Sequence, residues 1–281
     1  IDPNQAVLDE ETIEYDLADL ISPWDQKVLD HVQKLGPSQD TLSTIKSYLP
    51  LIPNHYKVRS HPGSAFSDIM NLSKLGTDNP VLFDLSPFNY PVNSDLSGKA
   101  NLLKIYSTTK LDLTYILPIL QNLGFYVIDQ LTARITNDTE TRGFILLFRI
   151  TDQSKSIIPI ERYQSLIDTL SRIIQNQSEN DRLFSLCLKS DLNWNDVHVL
   201  LTFRQLYRQY APPFSLSTIN DALLNNVQIT SLLVDFFQKK FSPKLGTASQ
   251  KNKFKTLFPK LKKQFFEHLR DVQNLSEDTV L

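Results

Sequence analysis

The fold of this chain is decided by one stretch, Leu111-Asp-Leu-Thr-Tyr-Ile-Leu-Pro-Ile-Leu-Gln-Asn-Leu-Gly-Phe-Tyr-Val-Ile-Asp129. Its first part has the apolar spacing of an amphipathic helix, which begins at the N-cap Asp112 and stops at Gly124. A strand follows at once. Because strand-like runs also lie before this stretch, at residues 99–107, and after it, at residues 142–150, the predicted order is β-α-β-β.

The helix in this stretch is predicted over residues 112–123. Pro118 lies inside it, where a proline removes one backbone hydrogen bond, so we expect a kink or a 3₁₀ start there. Gly124 supplies the left-handed cap that other residues resist. The side chains expected on the buried face are Leu113, Ile116, Leu117, Leu120 and Leu123.

The β-α-β-β order predicts a ferredoxin-like, antiparallel sheet of four strands. In the standard sheet of this kind, the edge beside the first strand is taken by a strand that arrives from the C-terminal side. The residues after Ile150 instead have helical spacing, so we expect the run Val81–Phe88 to take that edge. The predicted spatial order of the strands is 81–88, 100–107, 142–150 and 125–136.

The chain as a whole is predicted to be an α+β protein in three parts. An acidic segment and short helices occupy residues 1–79, the α+β module occupies residues 80–158, and a helical bundle occupies residues 159–281. Ser22 and Pro23 are expected to start the first helix, as its N-cap and its first helical residue. Three helices are expected in this lead-in, at residues 22–35, 38–49 and 62–75.

Composition points to an ordinary globular protein that stays out of membranes. The formal net charge is −2, 41 % of the residues are apolar, and no apolar run approaches the ~20 residues that span a bilayer. The first 26 residues contain no Lys or Arg, unlike the basic start of a secretory signal. A single cysteine, Cys187, excludes an internal disulfide and fits a reducing compartment. We therefore expect a cytoplasmic location.

No catalytic, metal or cofactor site is predicted from the residue pattern. The seven glycines are too scattered to form a dinucleotide-binding or phosphate-binding loop. The five histidines lack the paired spacing of metal ligands, and Cys187 has apolar neighbours that favour a buried small side chain. The run Glu179-Asn180-Asp181 is interpreted as the cap of the following helix.

Charge is distributed unevenly along the chain. Nine lysines and no carboxylates fall between Lys239 and Lys263, whereas the first 26 residues hold eight carboxylates and no base. Two solvated faces are the favoured interpretation. Mutual attraction, between chain ends or between subunits, is a second interpretation.

Nucleic-acid binding is a third interpretation of the lysine-rich run. Helices at residues 194–210 and 215–225 have the spacing of a helix-turn-helix, and Arg204 and Arg208 are expected to face outward. However, the second of these helices has no Lys or Arg with which to contact phosphates or guanine. Neither nucleic acid nor a membrane is therefore an expected partner.

Three stretches carry a resemblance to a known family. The first is Asp112–Asp129, the second begins at Glu179-Asn180-Asp181, and the third is Leu275-Ser276-Glu277-Asp278 with Leu281. The second stretch continues through Leu183, Trp194, Val197, Arg204, Tyr207, Arg208, Gln209, Phe214, Ser215, Ile219, Ala222 and Leu223. Together they resemble the large, bacterial-type NAD-specific glutamate dehydrogenases, and a looser similarity near Trp24 and Tyr56 extends the resemblance to nearly the whole chain.

This resemblance implies the last ACT-like module of such an enzyme and the helical segment just before its catalytic domain. The parent enzyme would convert L-glutamate and NAD to 2-oxoglutarate, ammonia and NADH, and this segment would be regulatory or structural and inactive on its own. The catalytic lysine and the NAD-binding domain would lie outside it, so no catalytic residue and no cofactor is carried over. Its partners would be the catalytic domain of the same parent chain and further copies in a homo-oligomer. Leu147 and the lysine-rich residues 244–263 depart from the family's pattern.

An amino-acid effector, if the module retains one, is expected at the turn between strand 100–107 and the helix. The residues of this turn are Thr108, Thr109, Asp112 and Leu113, where N–H groups at the helix start can bind a carboxylate. A simple capped connection is the competing interpretation of this turn. The alternative function for the whole chain is an interaction or nucleic-acid-binding module that uses the lysine-rich surface of residues 239–263.

Overall fold

The computed structural model describes residues 23–88, 100–137, 140–210, 214–241 and 248–281, with only the backbone given for residues 248–256. The predicted acidic segment of residues 1–21 and the predicted turn of residues 91–98 lie outside the described residues. The chain is an α+β protein with a four-stranded antiparallel sheet and many helices. It divides into two compact units.

The four strands are β1 (Val81–Phe88), β2 (Ala100–Ser107), β3 (Phe125–Thr136) and β4 (Thr141–Asp152). Their order in the sheet is β1-β2-β4-β3, which confirms the predicted order, with residues 81–88 at the edge. The inner strand β2 is buried along almost its whole length. The boundary between the units crosses all four strands, so each unit is described with its own part of them.

Unit 1 comprises residues 1–83, 104–111 and 130–147. Its helices are α1 (Trp24–Lys34), α2 (Gln39–Tyr48), α3 (Asn54–Arg59) and α4 (Pro62–Ser73), with a 3₁₀ turn at Leu49–Leu51. Pro23 takes the N-cap position of α1 rather than the first helical position, so the predicted start was one residue early. Helix α3 was not predicted, because its six residues are too few to show an apolar period and only Tyr56 among them is buried.

One hydrophobic core serves unit 1. Helices α1 and α2 both pack on α4, and the Trp24 ring meets Tyr56 edge-on, with 6.4 Å between their centroids. The Trp24 indole N–H donates to the Ser60 carbonyl oxygen at 3.1 Å, so this half-buried ring is satisfied at its polar end. The buried members of the core are Val28, Val32, Ile45, Tyr48, Leu49, Leu51, Ile52, Tyr56, Ala65, Ile69, Leu72, Tyr106, Ala133, Ile135 and Ile145.

Gly143, near the start of β4, occupies a position in unit 1 that only glycine fits. Its φ is +148°, a value that side chains rarely adopt. A Cβ atom there would lie 3.0 Å from the Ser107 carbonyl oxygen and 3.2 Å from Leu72 Cδ2. The close approach of β2 and α4 therefore requires glycine.

Unit 2 comprises residues 84–103, 112–129 and 148–281. Its first helix is α5 (Leu113–Asn122), which runs through Pro118 and is capped by Gly124 with φ +88°. Asp112 takes the predicted N-cap position, but its side chain makes no capping hydrogen bond with the helix. Leu113 and Leu117 were predicted to be buried and are only half-buried. The buried face is formed by Ile116, Ile119, Leu120 and Leu123, the i, i+3, i+4, i+7 spacing of one helix face.

The described part of unit 2 after Pro159 consists of helices and their connections, as predicted. Two of its helical segments begin with a 3₁₀ turn, at Ile160–Arg162 and Arg182–Ser185. The remaining helices are α6 (Tyr163–Ile174), α7 (Leu186–Lys189), α8 (Trp194–Tyr210), α9 (Leu216–Asn225), α10 (Val227–Phe241), α11 (Ala248–Leu269) and α12 (Leu275–Val280).

Candidate functional site

The predicted effector turn follows β2 and leads into α5. The Thr108 backbone N–H donates to the Pro80 carbonyl oxygen at 3.0 Å, and the Thr109 N–H donates to Ser107 Oγ at 3.3 Å. The Asp112 carbonyl oxygen accepts the first hydrogen bonds of the helix, and Leu113 is its first residue. The N–H groups of both threonines are thus bonded within the chain, and the N–H groups at the helix start are the ones left for a carboxylate.

A buried polar cluster surrounds Asp68 in unit 1. Lys104 Nζ lies 2.6 Å from Asp68 Oδ1, the Tyr106 hydroxyl donates to the same oxygen at 2.7 Å, and the Tyr56 hydroxyl donates to Oδ2. All four side chains are almost completely buried. Burial, and then the Asp68 carboxylate, raise the pKa of the Tyr56 phenol well above its usual value. We name these four residues the Asp68 cluster.

The Asp68 cluster was missed in the sequence, although one indication of it is present. Lys104 interrupts an apolar run in β2, between Leu103 and Ile105. A lysine inside such a run is rarely buried without a partner. Its partner lies 36 residues away on α4, which no local pattern identifies.

A second buried ion pair holds the helices of unit 2 together. Arg204 on α8 was predicted to face outward, but this was wrong, since its guanidinium bonds both Asp181 and Asn220. Its Nη1 donates to Asp181 Oδ1 at 2.9 Å and to Asn220 Oδ1 at 2.8 Å, and its Nη2 lies 2.7 Å from Asp181 Oδ2. Asp181 also accepts from the Leu183 N–H, which confirms its predicted cap role. The two hydrogen bonds from the Arg204 guanidinium to the Asp181 carboxylate outweigh the hydration that Arg204 would gain in solvent. Arg208 is exposed, as predicted.

An apolar groove of about 840 Å³ opens among α8, α9, α10, α11 and α12, and we name it the phenylalanine groove. Seven phenylalanines line it, together with Tyr207 and Tyr210, and the cations among its lining side chains are Arg204, Lys240 and Lys262. Its seven phenylalanines are Phe203, Phe236, Phe237, Phe241, Phe258, Phe265 and Phe266. Several of these rings pack edge-on, as between Phe203 and Phe237, whose centroids are 5.3 Å apart.

A second cavity of unit 2, of about 740 Å³, is polar. Several of its polar side chains contact protein partners: Arg162 lies 2.7 Å from Asp191, Gln238 donates to Asp196, and Asp235 pairs with Lys239. Because these side chains already have hydrogen-bond or ion-pair partners within the chain, the cavity resembles a cleft between helices more than a preformed ligand site.

The structure describes the side chains of five of the nine lysines in the lysine-rich run. Lys239 pairs with Asp235, and Lys263 lies 3.7 Å from Glu267. Lys240 and Lys262 lie over the rings of Phe241 and Phe266, at 5.3 and 5.8 Å from the ring centroids. The side chains of the other lysines between residues 244 and 255 lie outside the described residues.

Cys187 is buried, which confirms its predicted place in the core. Burial raises the pKa of its thiol to about 11, and its sulfur accepts a hydrogen bond from the Thr169 hydroxyl at 3.7 Å. Such a thiol is a poor nucleophile near neutral pH. The described side chains include no group of three or more His, Cys, Asp or Glu residues placed to hold a metal ion. Among the helices described, none is both long and apolar enough to cross a bilayer.

Two family models match consecutive parts of the chain. The model for the ACT3 domain of glutamate dehydrogenase matches residues 90–163, which include three of the four strands and α5. The model for helical motif 3 of glutamate dehydrogenase matches residues 178–243, which include α8, α9 and α10. The order and spacing of the two matches agree with the resemblance found in the sequence.

Curated relatives extend the similarity to most of the chain. The NAD-specific glutamate dehydrogenase of Pseudomonas aeruginosa is 28 % identical over 255 residues, covering 89 % of this chain and 15 % of the relative. The enzymes of the same name from Mycobacterium tuberculosis and Halomonas elongata are 26 % and 21 % identical, covering 73 % and 83 % of this chain and 13 % and 15 % of their own lengths. The chain therefore spans about 15 % of the length of the first of these relatives. The chain is therefore similar to the NAD-specific glutamate dehydrogenases, over an ACT3 domain followed by helical motif 3.

Proposed function

We propose that this chain is a regulatory or structural segment of an NAD-dependent glutamate dehydrogenase and is not catalytic on its own. The observation that carries the proposal is the consecutive match to an ACT3 domain and to helical motif 3 of that enzyme. The parent would oxidise L-glutamate with NAD in the cytoplasm, through a catalytic domain elsewhere in the same chain. In this proposal the sheet and α5 form a ferredoxin-like, ACT-like module within residues 80–158, and residues 159–281 form the bundle that leads toward that domain.

The internal pairing of buried charges supports a non-catalytic role. A general acid or base has to reach a substrate proton within hydrogen-bond distance. Asp68 is instead bonded by Lys104 and two tyrosines, and Asp181 is bonded by Arg204 and a backbone N–H. Pairing of this kind rigidifies a scaffold, since breaking it would leave a charge buried alone.

Activity of the purified chain tests the first part of the proposal. The chain is produced in a host that lacks glutamate dehydrogenase and is mixed with L-glutamate and NAD, and NADH formation is followed by absorbance. We expect no NADH above a protein-free control. NADH formation that rises in proportion to the concentration of the chain would contradict the proposal.

Titration calorimetry with the standard amino acids tests the regulatory part. Binding at the turn of residues 108–113 would use N–H groups at the start of α5, so Leu113→Pro should weaken it, because proline removes one N–H yet suits the first helical position. Leu216→Pro makes the same change at the first residue of α9 and is the matched control. Absence of heat with every amino acid would contradict an effector role and leave the segment structural.

A further inference from the structure

We propose that the phenylalanine groove binds the acidic segment of residues 1–21 from a second copy of the chain. The proposal assigns a partner to a surface that the proposed regulatory role does not explain. It is argued from the apolar side chains that the groove exposes, from the charge at its rim, and from the composition of the one segment that complements both.

The groove exposes more apolar surface than its own helices cover. Tyr210 on α8 is 83 % exposed and Phe241 on α10 is 59 % exposed, although both line the groove. Single exposed apolar side chains are common, but a contiguous set around one cavity is typical of a binding surface. The other lining side chains with at least 40 % exposure are Phe203, Leu206, Phe258 and Phe266.

The charge at the groove favours an anionic partner. Lys240 and Lys262 line it from α10 and α11, and no Asp or Glu side chain is among the described residues that line it. Both ammonium groups lie over phenylalanine rings and neither forms a described salt bridge, so a carboxylate that approached the rim would meet cations held by the groove itself. Lys263, one residue further on α11, does not line the groove and lies near Glu267 instead.

The sequence of residues 1–21 complements both properties. It contains seven carboxylates and no Lys or Arg. Its apolar residues Ile13, Leu17, Leu20 and Ile21 have the i, i+4, i+7, i+8 spacing with which a helix fits into an apolar groove. Every copy carries one such segment and one such groove, so exchange between two copies would fill both grooves.

Cross-linking with a carbodiimide tests the contact, because this reagent joins a carboxylate to a lysine only where they touch. Chains labelled with ¹⁵N and unlabelled chains are separated into monomers in high salt, mixed, and returned to low salt, and native mass spectrometry confirms the exchange. We expect cross-links between acidic residues 9–19 and Lys240 or Lys262 in which one peptide is labelled and the other is not. Cross-links within one isotope only, or none to these lysines, would overturn the proposal.

A pair of neighbouring lysines supplies the matched control. Lys262→Glu should lower the yield of the cross-links to Lys240, and the dimer fraction in sedimentation, about tenfold, because it places a like charge at the rim. Lys263→Glu makes the same change in net charge at the next residue of the same helix, outside the groove, and should alter neither. Equal losses of cross-links and dimer in both variants would show that net charge alone explains the effect, and would overturn the assignment of the groove. Preferential capture of a random-sequence DNA duplex by the same lysines would assign the surface to nucleic acid and would also overturn it.

Discussion

Lys104 Nζ and Asp68 Oδ1 lie 2.6 Å apart, and the two side chains are only 4 % and 1 % exposed. Lys57 and Asp25 form an ion pair of the same length, but their side chains are 17 % and 43 % exposed. The two pairs therefore differ in solvation and not in distance. A buried charge that loses its partner cannot be rescued by water, whereas an exposed charge can.

Replacing Lys104 by methionine should destabilise the chain strongly. The substitution keeps most of the side-chain volume in β2 but leaves the Asp68 carboxylate buried without its cation. We expect a loss of about 3–5 kcal/mol in the free energy of unfolding, measured by urea denaturation. Lys57→Met should lose no more than about 1 kcal/mol. Similar losses in the two variants would show that burial does not govern the strength of these pairs.

Removing both charges of the buried pair distinguishes the destabilisation caused by an unpaired buried charge from the stability that the ion pair itself contributes. Lys104→Met combined with Asp68→Asn should recover at least about 1 kcal/mol relative to Lys104→Met alone, because the asparagine is neutral, its amide oxygen can accept from one tyrosine hydroxyl, and its amide N–H can donate to the other. The measurement is again the free energy of unfolding. A double variant that is less stable than Lys104→Met would contradict this account.

Arg204 gives the corresponding test in unit 2. Its guanidinium contacts Asp181 through both terminal nitrogens, with side-chain exposures of 2 % and 12 %. Lysine keeps the charge but cannot form both contacts and reach Asn220 as well, so Arg204→Lys should cost about 2 kcal/mol. Arg182→Lys changes the exposed pair with Asp221 and should cost less than about 0.5 kcal/mol. Equal thermal shifts in the two variants would contradict the structural role of Arg204.

The order of the sheet could be predicted because it rests on local patterns. Residues 81–88 have strand spacing, and the absence of such spacing after Ile150 left one edge for them. Asp181 could be assigned as a cap because the Asn-Asp run precedes an apolar run. Its pairing with Arg204 could not be predicted, since the two residues are 23 positions apart and meet only after the helices have packed. Helix α3 was too short for periodicity, although its Tyr56 anchors the Asp68 cluster.

Gly143 and Gly76 provide a comparison of two glycines in unit 1. A Cβ atom at Gly143 would meet the Ser107 carbonyl oxygen at 3.0 Å in a conformation with φ +148°, whereas a Cβ atom at Gly76 would meet no atom within 4 Å. Gly143→Ala should therefore lower the free energy of unfolding by more than about 1 kcal/mol, and Gly76→Ala should change it by less than about 1 kcal/mol. Urea denaturation of both variants checks the difference, and a neutral Gly143→Ala would contradict the close approach.

Cys187 should make stability depend on alkaline pH. The ordinary pKa of a cysteine thiol is 9.0, and burial raises that of Cys187 to about 11 in the folded chain. Between these values the unfolded chain loses the proton while the folded chain keeps it, so the free energy of unfolding falls as pH rises. The full contribution of the thiol, present below pH 9.0 and lost by about pH 11, is about 2–3 kcal/mol.

Cys187→Ala isolates this contribution from the tyrosines and lysines that titrate in the same range. The stability of the variant should fall less steeply between pH 9.0 and about 11 than that of the unchanged chain. A thiol reagent should also modify Cys187 only as fast as the chain unfolds, because the buried thiol is protonated and shielded. Rapid modification under native conditions, or equal pH slopes for the two chains, would mean that Cys187 is accessible and its pKa unperturbed.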